Sequence, residues 1–360
     1  MSSRYSKVLH FCRIISSNMK NISSPLGFAV IGFGHIGQKH THHILANTEA
    51  EFIGAFDVDD SKKSEIKNNN LPYFDSLYEL LNHPKVQIVC ICTPNGLHAE
   101  HAIASLKAGK HVVIEKPMTL SAEQANHVLE TASEFNRFVF CVMQNRYSPV
   151  ATWLKNVINQ SILGEIYSVS VLCAWNRDHR YYKPFHWHGN LNLDGGPLYT
   201  QFSHFVDLMY WLFGNIEIGK TEFYNFNHHE LTEFEDSGFF TFNSPEQKKM
   251  RGLFQYTTSV FHSNFESSIH IIAQKGTIKV GGQYMNEIQY CQIENYTLPE
   301  LEPTPPPNQY DGYQGSASNH QFVIQNAIDT LKGISSPNTP ASEGRDVVQI
   351  IETIYKNRIL

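Results

Sequence analysis

Between residue 26 and about residue 145, short apolar runs alternate with amphipathic segments. The apolar runs are nearly continuous, as in 86–93 (VQIVCICT), which is typical of strands covered on both faces. We predict strands in the run that begins at Phe28 and at 51–56, 86–93, 112–115 and 138–143, and helices at 38–47, 77–82, 95–108 and 121–135. This succession predicts an α/β domain with a mostly parallel, doubly wound sheet.

The pattern changes after Pro149, where longer strand-like runs are joined by short turns. A predicted helix at 150–159 precedes strands at 165–174, 220–226, 237–243, 250–259, 266–273 and 276–281, and a helix at 200–211 interrupts them. The proline-rich stretch 298–315 is predicted to be irregular, and helices at 318–331 and 341–355 follow it. The pattern predicts a C-terminal α+β domain built on an open, mostly antiparallel sheet.

These patterns divide the chain into an extension at 1–25, a first domain at 26–145 and a second domain at 146–360. The extension carries basic residues and serines, and the first acidic residue of the chain is Glu49. That composition resembles a transit peptide, but His10 and Arg13 interrupt the apolar stretch that a secretory signal needs. We expect the extension to be disordered and infer no function from it.

A glycine-rich turn follows the first predicted strand. Gly32 permits a tight turn, Gly34 lets the backbone approach a pyrophosphate, and Gly37 lets the next helix pack against the strand. The turn residues are Gly32, Phe33, Gly34, His35, Ile36 and Gly37. Asp57 ends the second strand, where a carboxylate would accept the adenine-ribose hydroxyls and repel a 2′-phosphate. The first domain is therefore a predicted Rossmann domain, with NAD favoured over NADP.

Composition limits the partners and the compartment. The 360 residues carry a formal net charge of −6, with a pI near 6.3, so there is no basic footprint for nucleic acid. No apolar run approaches the ~20 residues that span a bilayer, so no membrane partner is expected. The six cysteines are scattered without metal or redox spacing, which favours a reducing cytoplasm.

Polar motifs follow three further strands of the first domain, at the sheet edge where open α/β sheets bind ligands. They are Thr93-Pro94-Asn95 with His98, then Glu115-Lys116-Pro117, and finally Gln144-Asn145-Arg146. A later segment, Gly195-Gly196, precedes His204 and Asp207. Together with the glycine turn, this combination resembles the Gfo/Idh/MocA family of sugar oxidoreductases over about residues 26–360.

The resemblance implies that Lys116 lies beside the nicotinamide and the reacting hydroxyl, that a cis peptide precedes Pro117, and that His204 is the general acid/base. It also implies a homodimer or homotetramer, in which the open faces of the second-domain sheets pair. The cofactor-binding residues that we predict are Gly32, Phe33, Gly34, His35, Ile36, Gly37, Asp57, Thr93, Pro94, Asn95, His98, Glu115, Lys116 and Gln144.

One residue departs from the family pattern. The position four before the histidine is commonly aspartate in the family, and here it is Thr200, followed by Gln201. We expect Thr200, His204 and Asp207 to share one face of the helix 200–211, with Asp207 orienting His204 or capping backbone. Related enzymes that act on nucleotide-linked uronic sugars carry asparagine at this position, so a neutral residue is compatible with activity.

The substrate residues are predicted from both domains. Aromatic side chains with polar tips, interspersed with Arg177, suit a sugar ring and an anionic group. Arg146 is a further candidate for an anion. The predicted set is Lys116, Asn145, Arg146, Trp175, Arg177, Tyr182, Trp187, Thr200, Gln201 and His204. His186 and His188 have no third ligand at suitable spacing, so we predict no metal site.

The expected function is NAD-dependent hydride transfer to or from a secondary alcohol of a sugar or sugar nucleotide. The motifs around 144–149, 187–189 and 211–214 look closest to members that oxidise the 3-hydroxyl of UDP-linked amino-sugar uronates. Two alternatives remain open. Some relatives cleave glycosidic bonds through transient 3-oxidation with tightly held NAD, and a fungal relative is a non-catalytic, nucleotide-sensing binding protein.

Overall fold

The computed structural model of the chain describes residues 25–183, 187–310 and 313–357. The predicted disordered extension lies outside these residues except for Pro25, and so does His186 of the rejected metal motif. Two larger sheets and a two-stranded hairpin make up the β-structure of the described residues.

The first sheet has five parallel strands in the order β2-β1-β3-β4-β5. Their bounds are β1 Leu26–Ile31, β2 Ala50–Phe56, β3 Ile88–Ile91, β4 His111–Ile114 and β5 Val139–Cys141. The strand order reverses at β1, which pairs with both β2 and β3. A crevice opens at such a switch point, beyond the carboxyl ends of the strands, and ligands bind there in this class of fold.

The helices of this domain connect its strands and cover the sheet. Their bounds are α1 His35–Leu45, α2 Asp60–Asn68, α3 Leu77–Asn82, α4 His98–Lys107 and α5 Ala122–Glu134, with short 3-10 turns at Asn95–Leu97 and Gln144–Tyr147. Side-chain oxygens of Asp59, Ser76 and Ser121 accept backbone N–H groups at the starts of α2, α3 and α5. Such caps satisfy N–H groups that have no partner within the helix.

The second sheet has seven strands in the order β12-β11-β10-β6-β9-β8-β7. The strands are β6 Ile166–Ala174, β7 Glu217–Tyr224, β8 Ser237–Asn243, β9 Arg251–Thr257, β10 Glu266–Ala273, β11 Gly276–Gly281 and β12 Glu287–Ile293. All neighbours are antiparallel except β6 and β9. In β9 exposed and buried residues alternate, because successive side chains point to opposite faces. The predicted fold class is confirmed by the two sheets.

The helices of the second domain are α6 Pro149–Asn159, α7 His179–Tyr182, α8 Pro197–Thr200 and α9 Ser203–Phe213. The predicted single helix at 200–211 is wrong, because the chain leaves helical structure between α8 and α9. Thr200 therefore ends one short helix, while His204 and Asp207 lie on the next.

The stretch 298–315, predicted to be irregular, contains most of a hairpin. Its strands are β13 Pro307–Tyr310 and β14 Tyr313–Ala317, paired antiparallel. The first half of the stretch is rich in proline, which disfavours strands, and the strands were therefore not predicted. The sequence analysis also missed β12 and α2.

The C-terminal helices pack back toward the first domain. Helix α10, His320–Leu331, buries Val323, Ile324 and Ala327 in one cluster with Phe28 and Val30 of β1. This packing differs from the predicted division, which placed all of 146–360 in the second domain. Helix α11, Ala341–Lys356, buries one face in the larger core that includes the second sheet. No helix among the described residues has the length and hydropathy to cross a membrane.

Candidate functional site

A cavity of about 470 Å³ lies at the carboxyl ends of β1 to β4, where α8, α9 and the β13–β14 hairpin face the first sheet. It brings together most of the side chains predicted from the two domains. The predicted residues that line it are Gly32, Gly34, His35, Ile36, Asp57, Thr93, Pro94, Asn95, His98, Glu115, Lys116, Gln144, Trp175, Arg177, Trp187, Thr200, Gln201 and His204.

The glycine turn leaves room for a ligand at one position only. A Cβ on Gly37 would lie 1.9 Å from the Gly32 carbonyl oxygen, and one on Gly32, whose φ is +87°, would lie 2.6 Å from the Cys92 oxygen. A Cβ on Gly34 would meet nothing within 4 Å. Since Gly34 lines the cavity, a larger side chain there would fill space that the turn keeps open. These glycines fit the pyrophosphate of a dinucleotide.

The start of α1 also fits an anion. Gly34 is its N-cap, no side chain caps it, and its first turn contains no acidic residue. The unpaired N–H groups at a helix N-terminus favour a negatively charged ligand. Asp57 lines the same cavity, and its carboxylate accepts the Phe33 N–H at 2.6 Å and the Asp59 N–H at 2.9 Å. These hydrogen bonds hold the Asp57 carboxylate in place in the cavity wall.

His98 connects the loops that follow β3 and β4. Its Nδ1 lies 2.7 Å from the Pro117 carbonyl oxygen and its Nε2 lies 2.8 Å from the Thr93 carbonyl oxygen. Burial lowers the pKa of His98, although both carbonyl contacts act in the opposite direction. Because both ring nitrogens face backbone, His98 positions these loops. The Lys116–Pro117 peptide is cis, as the family resemblance implied.

Glu115 lies under the cavity between two buried histidines. One carboxylate oxygen is 2.9 Å from His40 Nε2 and 3.4 Å from His320 Nε2. Burial would raise the pKa of Glu115, but the imidazoles of His320 and His40 outweigh it and hold the pKa well below its usual range. Among the described residues, this is the only cluster of three or more His, Cys, Asp or Glu side chains whose ligand atoms lie close enough together to hold a metal ion. The 2.9 Å contact equally suits an N–H donating to a carboxylate.

Lys116 extends from the first domain to the second. Its Nζ donates to the Thr200 carbonyl oxygen at 2.6 Å. Burial lowers the pKa of Lys116; the charge of Glu115 raises it, that of Arg177 lowers it, and that of Asp194 raises it. The ammonium thus lies in a cavity wall where its charge is poorly solvated and strongly felt.

His204 faces the same cavity from α9 and is 2% exposed. The side-chain amide nitrogen of Gln144 lies 3.3 Å from its Nε2, and its Nδ1 has no hydrogen-bond partner among the described residues. Burial and then the charge of Lys116 lower the pKa of His204 well below its usual value. The imidazole is therefore neutral at neutral pH.

Thr200 connects the two domains through its side chain. Its hydroxyl donates to the Asp194 carboxylate and accepts a hydrogen bond from Asn95 Nδ2 at 2.7 Å. Asp194 is fully buried and does not line the cavity. Burial raises the pKa of Asp194 to about 6, against the hydrogen bonds from Thr200 and the Gly189 N–H. The Asp194 carboxylate therefore lies behind Thr200. Asp194 was not among the residues predicted for the site.

Arg177 is a buried cation in the cavity wall, 3% exposed. Its guanidinium carbon lies 4.9 Å from the ring centres of Trp175 and Tyr313 and 5.2 Å from that of Tyr181. Its hydrogen bonds go to the carbonyl oxygens of Asn176 and Gln314 and to the Asn264 amide oxygen. Among the described residues it has no carboxylate partner, and its Nε is unpaired.

Five predicted site residues lie outside the cavity. The prediction that Arg146 binds an anion is wrong, because its guanidinium pairs with Asp207 and Glu343. Asp207 therefore holds Arg146, which rules out the predicted role of orienting His204.

The other four of these residues support the cavity from behind. Asn145 accepts a hydrogen bond from Ser316 at 2.7 Å, and Tyr182 packs edge-on against Tyr181 and His228. Phe33 contributes its backbone N–H to Asp57, and Gly37 packs on the glycine turn. Their predicted direct ligand contacts are not supported by this placement.

The β13–β14 hairpin adds residues that the sequence analysis missed. Tyr310, Tyr313 and Ser316 line the cavity, together with His320 at the start of α10. Tyr310 stacks on His35 with ring centres 5.5 Å apart. The sequence signal was Asp311-Gly312 between two tyrosines, since Asp-Gly is the strongest short hairpin signal.

Two family models match the chain. Residues 26–142 match the model described as an oxidoreductase family with an NAD-binding Rossmann fold, and residues 152–279 match the GFO/IDH/MocA C-terminal domain. Together the matches cover more than half of the chain. They confirm the predicted NAD-binding domain.

Similar proteins include sugar dehydrogenases. The solved structure of WlbA dehydrogenase from Bordetella pertussis, in complex with NADH and UDP-GlcNAcA, has a TM-score of 0.81 and 28% identity, covering 92% of this chain and 96% of that one. D-glucoside 3-dehydrogenase from Escherichia coli is 30% identical over 148 residues, which is 40% of this chain and 42% of that protein. An uncharacterised oxidoreductase from Synechocystis is 32% identical over 194 residues, 53% of this chain and 52% of that protein.

The matched region spans about half the length of these two curated relatives. The WlbA match extends across both sheets, so the likeness in fold covers the cavity and its two walls. With both family models matched in order along the sequence, the chain belongs to the Gfo/Idh/MocA family of oxidoreductases.

Proposed function

We propose that this protein is an NAD-dependent oxidoreductase that acts on a secondary alcohol of a sugar or nucleotide sugar, with Lys116 and His204 as catalytic residues. One observation carries the proposal: an amine from the first domain and a neutral imidazole from the second line one cavity with the glycine turn and Asp57. Proton handling requires these two groups at the reacting hydroxyl, and the turn supplies the cofactor cleft.

The residues that would hold NAD are Gly32, Gly34, the N–H groups at the start of α1, and Asp57. NAD supplies hydride transfer when it is bound. His204 takes the hydroxyl proton in the oxidative direction, because its imidazole is neutral. Lys116 donates a hydrogen bond to the same oxygen and stabilises its alkoxide character. A donor of this kind in a low-dielectric site typically contributes on the order of 10²–10³ in rate.

The cavity favours an anionic sugar. Arg177 lies in its wall with an unpaired Nε and no carboxylate partner among the described residues, and aromatic rings surround it. A buried cation without a counter-ion is costly, and a ligand carboxylate or phosphate would offset that cost. The WlbA neighbour holds UDP-GlcNAcA. We therefore propose the 3-hydroxyl of a UDP-linked uronic sugar as the site of oxidation.

Substitution of the two catalytic residues tests this function. Lys116→Met should reduce kcat by at least about 100-fold, and His204→Asn by a similar factor, because each removes a group that acts on the reacting oxygen. The measurement is nicotinamide absorbance with UDP-sugars and free sugars. Calorimetric NAD titration is the control, and both variants should still bind NAD.

Three outcomes would contradict the proposal. Unchanged turnover in both variants would remove their catalytic roles. Release of a free sugar without accumulation of NADH would identify a glycosidase that recycles its cofactor. Binding of NAD and nucleotide sugar without any conversion would identify a binding protein.

We also infer that the chain forms a homodimer or homotetramer through the outer face of the seven-stranded sheet. Leu253, Ile272 and Tyr290 are 40%, 51% and 48% exposed on that face. Pairing two copies of such a face is the simplest way to cover these apolar side chains. Light scattering measures the oligomeric state, and a monomer at micromolar concentration would contradict this inference.

A further inference from the structure

Asp194 is a buried carboxylate directly behind the catalytic wall of the cavity. It is fully buried, and its Oδ2 accepts the Gly189 N–H at 2.9 Å. Its second oxygen accepts the Thr200 hydroxyl. Since Asp194 does not line the cavity, substrate and cofactor have no direct access to it.

Thr200 contacts both charges of this wall. Its backbone carbonyl accepts Lys116 Nζ at 2.6 Å, while its hydroxyl binds the Asp194 carboxylate. Asn95 strengthens this connection, because its amide donates to the Thr200 hydroxyl at 2.7 Å and to the Asp194 carbonyl at 2.8 Å. Lys116, Thr200 and Asp194 therefore form one hydrogen-bonded series across the two domains.

We propose that Asp194 is a positioning residue that acts through Thr200 to keep Lys116 charged and directed at the reacting oxygen. This inference rests on the proposed function, which assigns the catalytic role to Lys116, and it adds a residue that acts on Lys116. The charge coupling itself exists without substrate, so it can be measured separately from turnover.

The charged groups around Lys116 and Asp194 support the positioning role of Asp194. Burial lowers the pKa of Lys116 and Arg177 lowers it further, whereas Glu115 and Asp194 raise it. The groups that face Asp194 are Lys116, the Thr200 hydroxyl, the N–H groups of Gly189 and Gly196, and the phenols of Tyr181 and Tyr182. Burial raises the pKa of both tyrosines, so these phenols stay neutral. Lys116 is therefore the charge that an ionised Asp194 balances.

A nearby anion favours the charged form of an amine, and removing it lowers the amine pKa, typically by about 1–3 units for close pairs. Asp194→Asn should thus let Lys116 lose its proton at lower pH. The alkaline limit of the kcat/KM profile, where Lys116 deprotonates, should move in the same direction by up to about one unit.

The pKa of Lys116 can be measured directly in the protein without substrate. Acetic anhydride acetylates an amine only in its neutral form, and peptide mass spectrometry reports the modified fraction of Lys116 across a pH series. Asp194→Asn should lower the midpoint for Lys116 by up to about one unit. Lys39 serves as the internal control. Burial lowers its pKa too, but Asp194 is not among the charges that act on it, so its midpoint should not change.

Two further variants separate charge from folding. Thr200→Val keeps the shape but removes the hydroxyl, so it should shift the Lys116 midpoint in the same direction by a smaller amount. Asp194→Asn with Thr200→Asp returns a carboxylate to the adjacent position, so the double variant should recover at least half of the shift. A merely structural Asp194 would change the melting temperature without this recovery.

An unchanged Lys116 midpoint in a folded, NAD-binding Asp194→Asn protein would overturn the inference. If Asp194→Asn does not fold, an unchanged midpoint in Thr200→Val would overturn it as well. A shifted midpoint together with full turnover in Lys116→Met would leave the coupling standing and instead refute the proposed function.

Discussion

Two buried arginines of this chain differ in what faces them. Arg146 contacts Asp207 with two nitrogens, at 2.9 Å for Nε, and Glu343 with a third. Arg177 is similarly buried, but oxygens of amides and carbonyls and three aromatic rings surround it. Arg146 therefore holds two helices and a loop together, whereas Arg177 has no carboxylate partner among the described residues. Burial of a cation alone therefore does not identify a candidate binding site; the absence of a carboxylate counter-ion is the second observation that is needed.

The largest expected effect comes from breaking the paired cluster. Arg146→Met would leave the Asp207 carboxylate, which is fully buried, without its partner. Loss of one member of a buried pair typically destabilises a protein by about 3–5 kcal/mol. Urea unfolding measures the free energy, and the expected loss should be visible as a lower midpoint at the same slope.

A matched control exists at the surface. Arg345 pairs with Asp346 through side chains that are 33% and 32% exposed, so Arg345→Met should cost under about 1 kcal/mol. Equal losses in the Arg146 and Arg345 variants would show that the counter-ions of Arg146 contribute little, and the contrast with Arg177 would fail.

A smaller effect on stability and a larger one on binding are expected at Arg177. Arg177→Met leaves no carboxylate unpaired among the described residues, so the unfolding free energy should change less than in Arg146→Met. Loss of a hydrogen bond to a charged group should reduce the affinity for an anionic sugar on the order of 100-fold. Calorimetric titration with a UDP-linked uronic sugar and with its neutral counterpart measures the difference.

Arg177→Lys provides the internal comparison. It keeps the charge but loses the planar fork, so affinity should fall between the parent and Arg177→Met. Equal loss of affinity for the anionic and the neutral sugar would assign Arg177 to packing of the aromatic rings rather than to anion recognition.

Local patterns were sufficient for most of the fold. Continuous apolar runs predicted the parallel strands, and the spacing of Gly32, Gly34 and Gly37 predicted the turn that the structure contains. Failures occurred where composition and conformation diverge. The prolines of 298–315 concealed β13 and β14, and the break between α8 and α9 has no proline or glycine to mark it.

The candidate site was only partly predictable for a related reason. Arg146 and Arg177 are equally plausible ligands in a sequence, but the partners of Arg146 are 61 and 197 residues away. Asp194 is not among the predicted site residues, although its carboxylate accepts a hydrogen bond from the Thr200 hydroxyl. Pairing of this kind depends on which elements pack together, and that information is not local.

The amino-acid sequence by itself determined the order of the elements, the glycine-rich turn and the types of the residues that line the cavity. These features are local in the sequence: the left-handed φ of Gly32 suits glycine, and strand β3 of the first sheet is a continuous apolar run. Only the tertiary structure decided which charges are paired, because electrostatic energy in a buried wall depends on distances between side chains far apart along the chain. It pairs Arg146 with Asp207 and places Arg177 in the cavity wall without a carboxylate partner among the described residues.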